Sequence, residues 1–291
     1  MQIIQSTAAL RLALKDQTDI AFVPTMGNLH TGHIHLVKIA QQRAKCVVVS
    51  IFVNPLQFGP NEDLDSYPRT LDADCKKLKV AGAHIVFVPT VEEMYPDFDG
   101  LNLNQTMTII PPPIANDLCG ASRPGHFSGV ATIVMKLFNI VQPSLALFGQ
   151  KDFQQLFIIK QLVKQFNLPI EIIGASTVRE DNGLAMSSRN GYLTPEQRNQ
   201  ASQLNSALQN IVNSVIAGSK DYSLLENQAK IALTSHGWVV DYVSIRSSTN
   251  LNPASPTDEQ LVILGAAKLG STRLIDNIEF LANSKLPSSR N

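Results

Sequence analysis

The stretch IAFVPTMGNLHTGHIHLVKIAQQRAKCVVVSIFVNP, residues 20–55, decides the fold. It opens on a short apolar run, Ile20 to Val23, of the length a buried strand needs. Ile34, Val37, Ala40 and Ala44 then recur at helical spacing and predict a helix over 32–45. Val47 to Val53 is apolar again and rich in β-branched residues, which predicts a second strand. Strand, helix and strand in that order, with unbroken apolar strands, imply a parallel sheet covered on both faces.

The alternation continues along the chain. Leu71, Cys75 and Leu78 mark one face of a helix that leads to a strand at 85–88. A helix over 130–141, a strand over 145–148, a helix over 153–166 and a strand over 170–174 follow. Residues 1–176 are therefore expected to form a Rossmann-like α/β domain, a parallel sheet with helices on both faces. From 177 the texture changes. Helical stretches at 195–217 and 224–235 precede strand-like segments at 238–246, 261–265 and 274–278, so 177–291 is expected to be a smaller α+β domain.

The chain is 44% hydrophobic, enough for a sizeable core, and only 16% charged, where about a quarter is usual. Its 24 basic residues balance 24 acidic ones, which argues against nucleic acid as a partner. No apolar run approaches the roughly 20 residues that cross a bilayer, so no membrane partner is expected. The first residues lack the basic and apolar blocks of an export signal, and Cys46, Cys75 and Cys119 are scattered, with no CxxC. A reducing cytoplasm is the expected location.

Parallel sheets bind ligands beyond the carboxyl ends of their strands. Three loops there carry chemistry. Pro24 to His33 joins the first strand to a helix start, where unpaired backbone N–H groups and the helix dipole favour a phosphate. His30 and His33 share one side of the first turn and can donate to phosphate oxygens, although both can equally serve as caps. At Gly149-Gln150-Lys151-Asp152, Lys151 is a point charge suited to phosphate, and Gln155 lies one turn on. Asp152 reads either as a ligand or, with Gln155, as a capping box. The third loop, Val178 to Asn190, contains Met186-Ser187-Ser188-Arg189 and reads either as a lid that closes on a triphosphate or as a polar linker. Asn54 and Gln57 follow the second predicted strand and can hold a carboxylate or hydroxyl, while Arg123 is a further anion-binding candidate.

An HxGH loop, a later lysine and a Met-Ser-Ser-Arg segment in this order resemble the nucleotidyl-transferase superfamily that includes class I aminoacyl-tRNA synthetases. The longer segments PTMGNLHTGH, NPLQFGPNEDLDSYPRT, LCGASRPGHFSGV, KLFNIVQPSLALFGQKDFQQL and VREDNGLAMSSRNGYL are similar to the pantothenate synthetase family over about residues 20 to 195.

That resemblance implies an ATP-dependent joining of pantoate to β-alanine through pantoyl adenylate, releasing AMP and pyrophosphate. It further implies a cytoplasmic homodimer and Mg2+ arriving with ATP. It assigns ATP to Met26, Gly27, Asn28, Leu29, His30, Thr31, Gly32, His33, Gly149, Gln150, Lys151, Asp152, Val178, Met186, Ser187, Ser188 and Arg189. Catalysis falls to His33, as proton donor, with His30 and Lys151. Pantoate falls to Gln57 and Gln155, and β-alanine to Gln57. Asp74 is the candidate nearest the family's acidic residues linked to Mg-ATP, beside a departing Ala73. Asn28, Thr31, Phe153 and Asn182 also depart from the commoner residues, and Pro111 to Pro113 are unusual. An adenylyltransferase acting on a phosphate acceptor is the competing enzyme reading, but the neutral amides of NPLQF suit a carboxylate better. A non-catalytic nucleotide-binding module is the other; retention of His30, His33, Lys151 and Arg189 together argues against it.

Overall fold

The computed structural model describes residues 1–59 and 62–283. Pro60 and Asn61, inside the NPLQFGPNEDLDSYPRT segment, and residues 284–291 lie outside the described residues. The chain divides into two compact units, Met1–Thr177 and Val178–Asn291.

In the first unit β1 (Gln2–Ile4) and α1 (Thr7–Leu14) precede β2 (Ile20–Thr25), α2 (Thr31–Arg43) and β3 (Cys46–Ile51). Next come α3 (Leu71–Ala81), β4 (Ile85–Phe87), α4 (Val91–Met94) and α5 (Cys119–Ser122). The unit closes with α6 (His126–Val141), β5 (Leu145–Gly149), α7 (Phe153–Gln165) and β6 (Glu171–Ala175). Six strands form one sheet in the order β1-β4-β3-β2-β5-β6, with every pair parallel.

The unbroken apolar strands are explained by what lies on each face. Phe22, Val48, Phe87, Ala146 and Phe148 pack with residues of α1, α6 and α7. Their neighbours Ala21, Val23, Val47, Val49, Val86 and Leu147 pack with Leu36, Val37 and Ala40 of α2 and Leu78 and Ala81 of α3. Successive side chains leave a strand on opposite faces, so both alternate sets must be apolar when both faces are covered. The expected Rossmann-like sheet with helices on both faces is the structure of this unit.

No element is expected from the sequence over residues 2–14, where β1 and α1 form. β1 is a three-residue edge strand with Ile3 more than half exposed, so there is no alternation to read.

The second unit contains α8 (Pro195–Gln200), α9 (Ser202–Ile216), α10 (Tyr222–Ser235), β7 (Trp238–Ser247), β8 (Gln260–Leu269) and β9 (Thr272–Leu281). The strands form one antiparallel sheet in the order β7-β8-β9, with a bulge between Val240 and Tyr242. Leu204, Leu208, Ile211 and Leu233 from the helices pack with Trp238, Ile245, Leu261 and Ile263 from the strands. The one long helix expected over 195–217 is two. The backbone bonding of α8 ends at Ala201, whose N–H donates to the Gln197 carbonyl, and α9 starts afresh at Ser202. Thr194 and Gln197 form a capping box at the start of α8, with Pro195 in its first turn.

Candidate active site

The strand order reverses between β2 and β5, so the switch point of the sheet lies between their carboxyl ends. The loop Met26–His30 leaves β2 there and Gly149–Asp152 leaves β5. The two loops expected to bind phosphate thus lie at neighbouring strand ends in the sheet.

The loop after β2 turns sharply, with Gly27 at φ 84° and Asn28 at φ 48°. Such angles suit glycine and are tolerated by asparagine. The sequence leads one to expect unpaired N–H groups for phosphate here, but the loop consumes most of them itself. The Gly27 N–H donates to Thr25 Oγ1 at 3.2 Å, and the Asn28 and Leu29 N–H groups donate to the two oxygens of Asp74 at 2.8 Å each. The His30 N–H donates to His33 Nδ1 at 3.3 Å, and the Gly32 N–H to His30 Nδ1 at 3.1 Å. Leu29 also sinks its side chain into the core and offers its carbonyl to Lys77 Nζ at 2.6 Å. A ligand at this loop would therefore meet mainly side-chain donors.

His30 and His33 do cap α2, as one reading of the sequence has it, and the capping fixes their chemistry. Each Nδ1 accepts a backbone N–H, so in the neutral ring the proton sits on Nε2. Burial lowers the His30 pKa to about 4, helped by the nearby Lys151 charge. Burial lowers that of His33 to about 3, with His30 and Lys151 adding to it. The rings lie with centroids 4.1 Å apart. At neutral pH both imidazoles are uncharged hydrogen-bond donors through Nε2–H. His33 is thus built to give a hydrogen bond, and its low pKa disfavours a reservoir of imidazolium protons.

Asp152 stands at the N-cap of α7 but makes no capping bond; its carboxylate lies 3.3 Å from Lys151 Nζ. The capping-box reading fails because Asp152, at ψ 59°, does not bring its side chain over the first turn. Gln155 is partly exposed in that turn, whereas the adjacent Gln154 is buried. Gln154 donates to the carbonyls of Ile114 and Asp117 at 2.7 and 2.8 Å and accepts from the Cys119 N–H at 3.1 Å. It ties the segment after Pro111–Pro113 to α7, a role no sequence motif announces.

After β3, Pro55–Gln57 form a single 3-10 turn. Asn54 is buried and donates to Gln57 Oε1 at 3.0 Å and to the Gly129 carbonyl at 3.3 Å, while the Tyr95 hydroxyl donates to its Oδ1. A Cβ at Gly129 would stand 2.2 Å from the Leu56 carbonyl oxygen, so only glycine lets α6 press this close. Asn54 is therefore a brace for Gln57 and has its own polar groups spent.

The Gln57 carbonyl is held by Arg123 Nη2 at 3.1 Å and His126 Nδ1 at 2.8 Å. Arg123 also forks onto Glu62, at 2.7 Å to Oε1 and 2.5 Å to Oε2, and reaches His126 Nε2 at 2.9 Å. The sequence makes Arg123 an anion-binding candidate; its guanidinium is committed to these partners instead. Burial pulls the Glu62 carboxyl up, but the hydrogen bonds and charge of Arg123 outweigh it and hold the pKa below its ordinary value. Burial and the Arg123 charge push His126 down to about 4.

In the second unit Val178 to Met186 form a closed hairpin. Arg179 bridges Ala185, the Met186 N–H donates to the Val178 carbonyl at 2.9 Å, and the Glu180 N–H donates to the Leu184 carbonyl at 2.8 Å. Ser187 Oγ accepts the Arg189 N–H at 3.2 Å and caps the 3-10 turn Ser188–Tyr192. Asn190, buried, donates to Glu180 and to the Ala185 carbonyl. The segment read from the sequence either as a lid or as a polar linker is a hydrogen-bonded hairpin and turn, in which Ser187 bonds to its own backbone.

A parallel sheet whose switch point carries two neutral histidine donors and a lysine suits a nucleotide-handling α/β enzyme of the nucleotidyl-transferase type. The comparisons with known proteins narrow this. The family model described as pantoate-beta-alanine ligase matches residues 2–279, and the chain belongs to that family. It is 64% identical over 280 residues to the pantothenate synthetase of Methylobacillus flagellatus, covering 96% of this chain and 99% of that one. The pantothenate synthetase of Thiobacillus denitrificans is 52% identical, over 96% of this chain and 97% of its own. Among solved structures, pantothenate synthetase from Thermus thermophilus matches with a TM-score of 0.89 and 41% identity, covering 96% of this chain and 99% of its own. The pantoate-beta-alanine ligase from Francisella tularensis, complexed with beta-gamma ATP and beta-alanine, matches with a TM-score of 0.74 and 36% identity, over 98% and 99% of the two chains.

Proposed function

We propose that this chain joins pantoate to β-alanine at the expense of ATP, through pantoyl adenylate. A carboxylate oxygen of pantoate attacks the α-phosphorus, the bond to the β-phosphate oxygen breaks, and pyrophosphate leaves. The amine of β-alanine then attacks the acyl carbon, loses a proton, and expels AMP. Neither step needs a nucleophile from the protein, and the site offers positioned donors in its place.

The observation that carries this reading is the pair of histidines fixed as neutral Nε2–H donors at the switch point, beside Lys151. We assign His30, His33 and Lys151 to the charge that builds on the phosphates, and Gln57 and Gln155 to pantoate. Gln57 suits a small polar acid because Asn54 occupies its Oε1 and leaves its NH2 as a donor. β-Alanine is assigned to Gln57 as well. Met26 to His33, Gly149 to Asp152, Val178 and Met186 to Arg189 are the ATP assignments, with Mg2+ entering as part of the nucleotide substrate. A cytoplasmic homodimer completes the proposal, and light scattering of the purified protein tests the dimer.

The deciding experiment incubates the protein with ATP, pantoate and β-alanine and follows AMP, pyrophosphate and the amide product. AMP release that requires both acids supports the assignment. Pyrophosphate released together with an adenylylated phosphate acceptor would replace it.

A further inference from the structure

Asp74 is the acidic residue that the family resemblance links to metal, and its surroundings give it a different task. It sits in the first turn of α3, fully buried. Its Oδ2 accepts the Asn28 N–H at 2.8 Å and the Thr70 hydroxyl at 3.0 Å, and its Oδ1 accepts the Leu29 N–H at 2.8 Å. Lys77, three residues along, donates to the Leu29 carbonyl at 2.6 Å and lies 4.0 Å from Asp74 Oδ1. A carboxylate has about four acceptor positions. Three are filled by donors, and the Lys77 charge faces the rest.

The loop this carboxylate grips turns sharply in a way the grip explains. Gly27 and Asn28 both have positive φ, and this turn aims the next two N–H groups at one point. Unfilled, those buried N–H groups would be costly to leave without acceptors, and the turn would relax. Filled by Asp74, they set where the chain re-enters α2 and therefore where His30 and His33 stand.

We propose that Asp74, with Lys77, is a positioning residue that clamps residues 27–29 and thereby aims the two histidines at the nucleotide, and that it does not ligate the metal carried by ATP. The aiming rests on the function proposed above; the clamp itself does not.

The test uses the full chain with Asp74→Asn, Thr70→Val and Lys77→Met. Asparagine keeps the size but must turn an NH2 toward one of the donors. The expected result for Asp74→Asn is at least tenfold faster amide exchange at Asn28 and Leu29 without nucleotide. At saturating ATP it also loses tenfold or more in kcat, with the Mg2+ concentration for half-maximal rate unchanged within twofold. Thr70→Val and Lys77→Met, which leave the carboxylate in place, shift the same amides and kcat in the same direction by less. They decide the matter alone if Asp74→Asn does not fold. Undisturbed exchange at Asn28 and Leu29, or a tenfold rise in the Mg2+ requirement of Asp74→Asn with Thr70→Val unaffected, overturns the proposal. If the unmodified protein fails to make AMP from the three substrates, the functional reading falls while the amide exchange still judges the clamp.

Discussion

The strand-end loops of the first unit and the hairpin of the second use their polar groups differently. At the strand ends of the first, the polar contacts hold backbone or a neighbouring amide and leave Nε2–H of His30 and His33 and the NH2 of Gln57 as donors. In the second, charges close on one another. Arg179 forks onto Asp276 at 2.7 and 2.9 Å, with Asn205 donating to the same carboxylate at 3.0 Å, and Arg198 forks onto Glu180. The difference teaches where to expect each kind of loss. Variants of the strand-end donors should cost turnover, and variants of the second unit's ion pairs should cost stability.

The largest effect is expected from Arg179→Ala, which leaves the buried Asp276 carboxylate without its countercharge. Loss of one partner of a buried pair costs about 3–5 kcal/mol of unfolding free energy, measurable by denaturant titration. Arg198→Ala, in a pair whose arginine is half exposed, should cost at most about 1 kcal/mol. Equal losses from the two would break the contrast. Next comes His33→Ala. If its Nε2–H serves the transition state, AMP formation drops by about 10²–10³ while ATP affinity by calorimetry changes little. A matching fall in affinity would make His33 an ordinary binding group.

The third expectation concerns pH. His126 has a native pKa of about 4 against an ordinary 6.5, so below pH 6.5 the unfolded chain takes up a proton that the folded one refuses. Stability from this group is complete above 6.5 and is lost as the pH falls toward 4, by on the order of 1–2 kcal/mol at pH 5. His126→Asn removes that dependence, so the stability gap between the two proteins should narrow on acidification; a constant gap would mean His126 is not held neutral. The smallest effect is that of Gln57→Ala. Loss of one neutral hydrogen bond, about 0.5–1.5 kcal/mol, raises the KM for pantoate several-fold and leaves ATP titrations as they were.

The sheet of the first unit is legible in the sequence because buried strands and amphipathic helices each write a pattern into it. β1 writes none, being short and at an edge. The histidines and Lys151 are legible as chemistry, since their types and spacing suit phosphate. The protonation of the two histidines is not, because it depends on burial and on which ring nitrogen the backbone occupies. The braces escape notice for a related reason. Tyr95, Gln154 and Lys77 act across 41, 40 and 48 residues of chain, the last two on backbone carbonyls whose direction no residue code states. Arg123 misleads because nothing local reveals Glu62 as its partner, 61 residues away.

The adjacency of β2 and β5 also sets an order of assembly. Ser144, at the entry to β5, donates to the carbonyl of Ile20, at the start of β2, across 124 residues of chain. Closing so long a span carries a sizeable entropy cost before any contact rewards it. During synthesis the HxGH loop emerges well before the strand that brings Lys151 beside it. A nascent chain halted before residue 145 would hold the histidines and Lys77 without Lys151, and the nucleotide binding proposed for this site should switch on only when β5 docks.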